Sequence, residues 1–501
     1  MSSAAQPAAG NPPSPPPHTP AGHVCPPRQL ALAALAVVLI VFGARCWTIA
    51  AFGSDLAFWD QWDGEARDIF LPWFAHHLSW HDLAHPHNEH RILFTRLIDL
   101  GLLRLNGQWD VRLETLVGAL IQSALAGLLV RWTAREFSAG AALGFAAAVA
   151  AAFALPYAYE NTLGGFQIQM FLLLAFSLSA LHFLITAPPL SARSWAGVAL
   201  AALALGSMAS GFFAAAAAIA ILIWAERRQP DGRYAAIWVA LAAIVGVGVG
   251  TRYVVPEHSA LAAHSFGEYL RAANRLAAWP RWRSLWMAFV YPLPWVILMA
   301  TQLRQRSPLP RQTKWLAAIG LWTLLQIAAI AYGRKIDAFP APRYLDVLLL
   351  WFLVNIAAAF TLSGRPMSSK TRRWTNAALG LWGAFVVIAF VPVTHKDLRP
   401  ELTGWRNDSR AYEQSVKAYL ATGDPAALNG KIPYPDAARL REVLDQPAIQ
   451  RILPASVAPP PAKPAALSGA GLGIAEAGPW ILGLGILVLA AAGAVPRRVW
   501  D

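Results

Sequence analysis

Long apolar runs, each about the length of one bilayer crossing, alternate along this chain with short basic segments and longer acidic, aromatic ones. A hydrocarbon core of about 30 Å takes about 20 helical residues. Leu30–Phe52 is the first run of that size. Others cover roughly 112–130, 141–158, 166–186, 195–224, 235–255, 284–302, 315–333, 344–363, 374–393 and 478–495. The 195–224 run is long for one crossing and short for two, and Gly206-Ser207-Met208-Ala209-Ser210-Gly211 marks a break in its middle. Runs this long are not outer-membrane strands, which are about ten residues and alternate in polarity. The pattern predicts an all-α, polytopic membrane protein.

Composition agrees. Of 501 residues, 56% are hydrophobic and 14% charged, against about 25% charged in a soluble domain. Mean hydropathy is +0.42. A soluble enzyme, a disordered chain and a fibrous protein are all excluded. The net charge of +13 does not indicate nucleic acid, because the basic residues punctuate short loops. Arg131 and Arg135, then Arg193, then Arg227, Arg228 and Arg233 are the first of these. Arg304, Arg306, Arg311 and Lys314 follow, then Arg365, Lys370, Arg372 and Arg373, and finally Arg497 and Arg498. The positive-inside rule makes such loops cytoplasmic. They alternate correctly if 195–224 crosses twice, giving about 12 transmembrane helices with both termini inside. Eleven crossings, or a re-entrant hairpin, is the competing arrangement. Cys25 is expected in the cytoplasm and Cys46 in the membrane, so the two cysteines are not expected to pair.

Four regions follow: a disordered Pro/Ala/Ser-rich N-terminus (1–28), a transmembrane domain (29–393), an outer insert (394–476), and a last span with its tail (477–501). The large polar segments, 53–110, about 256–283, about 334–343 and 394–476, all fall on the outer face. The first is the richest. Asp60 and Asp63 stand among aromatics just past the first span, and residues 66–80 read as an amphipathic helix. A second is expected over about 91–105.

Asp60 and Asp63 suit a general base, and a spacing of three puts them on one face if that stretch is helical. Helix capping is the plain alternative. Glu89 is the second acidic candidate. Six of the twelve histidines lie between residues 76 and 90. His87 and His90 are three apart, unlike the four-residue spacing of a zinc helix, and no cysteine is near. A divalent cation, Mg2+ or Mn2+, held by Asp60, Asp63 and Glu89 against a substrate phosphate is a second reading; polar helix caps are the third. Arg252, Arg334, Lys335, Arg343 and Tyr344 bring cationic and aromatic groups to the same face and suit a phosphate, or else snorkel to the interface. His87, Asn88, His90, Asn161 and Gln167 offer hydrogen bonds to a sugar or acceptor, or cap helix ends. The Gly246–Gly250 pair is expected to pack helices. The insert is small for a core of its own and is expected to lean on the membrane domain.

One span, an outer loop opening with carboxylates and carrying two amphipathic helices, then many spans: this arrangement, over most of 30–393, resembles the GT-C class of membrane glycosyltransferases. Asp60-Gln-Trp-Asp63, His87-Asn-Glu-His-Arg91 and the ending Leu440…Ile449-Gln-Arg-Ile-Leu-Pro454 are similar to stretches of its uncharacterised bacterial members. The resemblance implies a polyprenyl-phosphate sugar as donor and inversion at the anomeric carbon. It implies a base at Asp60 or Asp63 and a second acidic position at Glu89. The acceptor is then a periplasmic hydroxyl on a glycan or glycolipid of the cell envelope, and the site of action the periplasmic side of a bacterial inner membrane. No WWD-type signature and no large C-terminal globular domain accompany the insert, which speaks against peptide acceptors. The rival class, a transporter or flippase of lipid-linked saccharides, predicts ionisable residues deep within spans. The charged residues are expected at span ends and in outer loops, which favours the enzyme.

Overall fold

The computed structural model describes residues 24–228, 230–305, 307–335, 340–458 and 465–495. Most of the N-terminal Pro/Ala/Ser stretch, the Pro/Ala linker before the last span, and Arg306, Arg497 and Arg498 lie outside the described residues. The protein is 76% helical and has no strand among the described residues. Among the described residues, seven helices are long and apolar enough to cross a membrane, or eight if the bent pair Leu467–Glu476 and Gly478–Ala494 is one span. Four shorter apolar helices, Ala139–Ala154, Ala192–Ala204, Phe213–Glu226 and Leu293–Leu303, accompany them. This is an all-α membrane protein. The 195–224 run is broken where its Gly/Ser segment lies, into helices of 13 and 14 residues, each about 20 Å long.

The first helix, Pro27–Phe52, is the hub, packed against Val111–Thr133, Ala139–Ala154 and Gly478–Ala494. Its seam with the last helix is made of small residues. A Cβ on Gly43 would lie 2.3 Å from the Leu482 nitrogen, and one on Gly478 would lie 2.4 Å from the Trp47 nitrogen. Backbones approach this closely where glycine permits it. Gly246 and Gly250, in contrast, have nothing within 4 Å. Their helix presents them to open space, so the packing expected of that pair is not found.

A charged pair lies inside this apolar body. Arg45 and Asp346 are fully buried, with nitrogen and carboxylate oxygen 3.8 Å apart. Arg45 also donates to the Thr162 hydroxyl. Asp346 accepts from Gln122 and Asn161, each at 2.9 Å. Arg45 lies seven positions before the end of its helix at Phe52, so ionisable groups are not confined to span ends and outer loops. Opposite charge, and the separate hydrogen bonds that each partner makes, offset part of the cost of burial.

The basic turns gather together. Arg228 donates to the carbonyls of Gln302 and Ser307, and Arg365 donates to Thr301. Arg135, Arg193 and Arg311 all lie within electrostatic reach of His182.

The polar segments expected on the outer face differ from expectation in detail. Helix 66–80 is not continuous. A wide, π-type helix, Trp62–Phe70, runs into Leu71–Phe74, and a new short helix starts at Trp80. Ser79 and Asp82 form a reciprocal capping box that restarts the chain, satisfying the orphan amides of a fresh N-terminus. The second expected helix is present as Leu93–Asn106. No break occurs at residue 394, because one helical stretch, Ser369–Thr422, runs 54 residues and stops at left-handed Gly423. The insert shares a core with the first outer segment: Leu440, Leu444 and Ile449 pack with Trp62, Phe70 and Trp109.

Two outcomes test this packing. Gly478→Val is expected to cost about 1–3 kcal/mol by overpacking, while Gly246→Val leaves the thermal midpoint in detergent unchanged. Asp346→Leu, which strands Arg45, is expected to cost about 3–5 kcal/mol. The double variant Arg45→Met/Asp346→Leu is expected to recover most of that loss in the same thermal assay.

Candidate active site

A cleft of about 590 Å3 opens where the first outer segment meets the 159–167 turn and the Ser369–Thr422 helix. Asp60, Gln167, Glu160 and Arg343 line it together with Tyr159, Glu401 and Trp405. Arg343 pairs with Glu160 at 3.1 Å and remains 42% exposed. Tyr159 donates to Glu401 at 2.9 Å, and the Trp405 ring packs against Tyr159 and Phe58. The cleft is therefore lined by aromatic rings and charged groups together.

The two aspartates part company. Asp60 lies in the turn before the wide helix, its side chain 45% exposed, with His87 Nε2 3.8 Å away. Asp63 is on the helix itself and is only 17% exposed. It accepts from Tyr434 at 2.7 Å and from Arg439 Nε at 3.0 Å. It clamps the insert to the loop. The two do not share a site: Asp60 faces His87, whereas Asp63 faces Tyr434 and Arg439.

His87 sits between Asp60 and Asp68, 3.8 Å from each. Burial works against its charge, but the two flanking carboxylates outweigh it and push its pKa up to about 9. Burial pushes the Asp60 carboxyl up, yet His87, Arg343 and His90 together hold it below the usual range. Asp60 is thus ionised and His87 protonated at neutral pH.

Glu89 is elsewhere. It accepts from His258 at 2.7 Å and lies 3.6 Å from Arg334. A smaller cavity of about 180 Å3 lies there, with Glu89, Arg91 and Arg252 in its wall. His90 is half-buried beside it, and desolvation pulls its pKa down to about 4. The His87 and His90 backbones pair with each other, so this turn separates the cleft of Asp60 from the cavity of Glu89. Lys335 is exposed and its backbone N–H donates to Leu261. Arg252 stacks over Tyr332, and Arg343 over Tyr344. Asn161 lies beneath the cleft, donating to the Arg343 carbonyl and to Asp346. Trp59 and Asn88 both hold left-handed backbones, at φ 49° and 50°. Such conformations persist where neighbours over-determine them, and each adjoins a candidate carboxylate.

Asp60, Asp63 and Glu89 do not converge on one cation. Among the described residues, the carboxylates that do are Glu65, Asp99 and Glu114, whose ligand atoms lie within 4.8 Å of one another. Sequence reading missed these three, and it missed Arg45 and Asp346. A signal was present, since Arg45, Glu114 and Asp346 stand inside or at the margin of apolar runs, where ionisable groups mark sites. Comparison with protein-family models, with curated proteins and with solved structures gives no match.

The His87 charge sets a pH window. A histidine whose pKa is higher in the fold than in the unfolded chain stabilises fully below pH ~6.5, and that contribution fades as pH rises through about 9. Asp60 has the opposite shift, so its contribution is present above the ordinary carboxylate range and is lost on acidification. His87→Gln is expected to flatten the fall in thermal midpoint between pH 7 and 10, read by scanning fluorimetry against the wild type.

Proposed function

We propose that this chain is an integral membrane glycosyltransferase that moves a sugar from a polyprenyl-phosphate donor to a hydroxyl acceptor with inversion. The observation that carries the reading is one ionised carboxylate, Asp60, in the same cleft as Arg343. In this reaction the acceptor O–H gives its proton to the Asp60 carboxylate. The acceptor oxygen then bonds to the anomeric carbon, and the bond from that carbon to the phosphate oxygen breaks. The electron pair leaves with the polyprenyl phosphate. Arg343 faces the charge that develops on that phosphate. His87 keeps Asp60 ionised and oriented, while Trp405 and Tyr159 offer faces to the sugar. Glu89, Arg91 and Arg252 line a second, smaller cavity, with Arg334 beside Glu89, suited to the remainder of the donor headgroup or to the acceptor.

The chain is placed in a bacterial inner membrane with about twelve crossings, both termini cytoplasmic and the cleft periplasmic. Convergence of the basic turns supports this arrangement, as does the position of the Gly/Ser break beside His90, on the side of the acidic loop. A lipid-linked donor suits that face, where no nucleotide sugars are supplied. The acceptor is a cell-envelope glycan or glycolipid.

The buried Arg45–Asp346 pair favours one other reading, a flippase of lipid-linked saccharides, since such proteins carry ionisable pairs between spans. Purified protein given a radiolabelled polyprenyl-phosphate sugar mixture separates the two. Transfer is expected from wild type and from Asp63→Asn, with a loss of about 10²-fold or more in Asp60→Asn. Wild type that moves the lipid across proteoliposomes but transfers nothing would replace the enzyme by the flippase.

A further inference from the structure

Beneath the Asp60 turn, three carboxylates meet in a place no solvent reaches. Glu65 is on the wide helix Trp62–Phe70, Asp99 on Leu93–Asn106, and Glu114 in the first turn of Val111–Thr133. Their relative exposures are 1%, 1% and 2%. Some of the oxygens are accounted for. Glu65 Oε2 accepts from the Trp109 indole at 2.7 Å and from Gln61 at 3.3 Å, and Glu114 Oε2 accepts from Gln61 at 2.9 Å. The others are not: both oxygens of Asp99 and Oε1 of Glu65 are buried with no hydrogen-bond donor. A fully buried carboxylate with neither oxygen satisfied is among the costliest groups a fold can hold. Asp99 is aimed into a space where one oxygen from each of three acids lies within 4.8 Å of the others.

We propose that Glu65, Asp99 and Glu114 bind a divalent cation of the hard, oxygen-seeking class, Mg2+, Mn2+ or Ca2+. Such ions sit about 2.0–2.6 Å from their oxygens, so ligands around one ion are up to about 5 Å apart. The observed spread fits within that limit. The ligand set is all oxygen, with no histidine or cysteine among its three members, which selects against zinc and softer metals. Three carboxylates exceed the charge of one such ion, and Arg96, an electrostatic partner of Asp99, faces the excess. The position gives the ion a task. It joins both outer helices to the top of a membrane helix, and Gln61, which donates to two of the ligands, is the neighbour of Asp60. The ion therefore fixes the floor on which the Asp60 turn rests. The inference concerns this cluster alone and does not depend on the transferase reading.

The test uses the full chain purified in detergent, with Mn2+ as the probe. Wild type stripped with EDTA is expected to regain several degrees of thermal midpoint on adding Mn2+. It is also expected to bind about one Mn2+ per chain, read by the loss of the free-ion signal in electron paramagnetic resonance. Asp99→Asn, which keeps the shape and removes a ligand charge, is expected to weaken Mn2+ binding at least tenfold. Asp63→Asn and Glu89→Gln are expected to bind as wild type does. Should Asp99→Asn not fold, the wild-type titration alone decides. Wild type that binds no Mn2+ and melts at one temperature with and without EDTA would overturn the proposal, and the three acids would then share protons. Mn2+ binding lost in Asp63→Asn but kept in Asp99→Asn would move the ion elsewhere and overturn it equally.

Discussion

A charge inside an apolar body must find its opposite, and that constraint organises this molecule. Arg45 on the central helix has no water to turn to. Its partner Asp346 comes from a helix 301 positions further on, numbered from 45 to 346. Gln122 and Asn161 donate to Asp346 and Thr162 accepts from Arg45, while Arg45 Nε and Nη2 have no hydrogen-bond partner among the described residues. One pair thereby joins three membrane helices and the short 159–167 turn. Removing either partner leaves the other uncompensated, which costs more than the pair itself contributes. The network fixes the register of the helices directly beneath the cleft, since Asn161 also holds the Arg343 carbonyl.

Above it, the same rule acts at the water boundary. Asp60, His87 and Asp68 alternate in sign, and Glu89 lies between His258 and Arg334. In the first, partly sheltered chain the members shift one another's protonation, His87 upward and both aspartates downward. The insert adds a lid made from sequence far away: Asp63 with Arg439 and Tyr434, and Trp59 with the Pro433 carbonyl. The insert is no separate domain in energetic terms, because its apolar side chains and those of the first outer segment fill one core.

The chemistry of the cleft follows from which groups are left free. Asp63 is held by a guanidinium and a phenol, whereas Asp60 keeps an exposed oxygen beside an imidazolium. A carboxylate already saturated by donors is a poor proton acceptor, and one facing a cavity is available. Arg343, paired on one side and open on the other, is the cation of the proposed reaction.

Sequence alone determined the helical class, the long apolar spans and the break at residues 206–211. These depend on the length and period of apolar runs and on local capping, which are properties of neighbouring residues. It also put Asp60, His87 and Arg343 among the candidates by type. It could not separate Asp60 from Asp63, since Arg439 and Tyr434 are more than 370 positions away. Nor could it show that Glu65, Asp99 and Glu114 meet, or that Asp346 answers Arg45. Those are decided by which helices pack together, and packing is a balance over the whole chain that no local pattern carries. Tertiary structure alone chose which carboxylates are satisfied, which face the cleft, and which remain buried and unanswered.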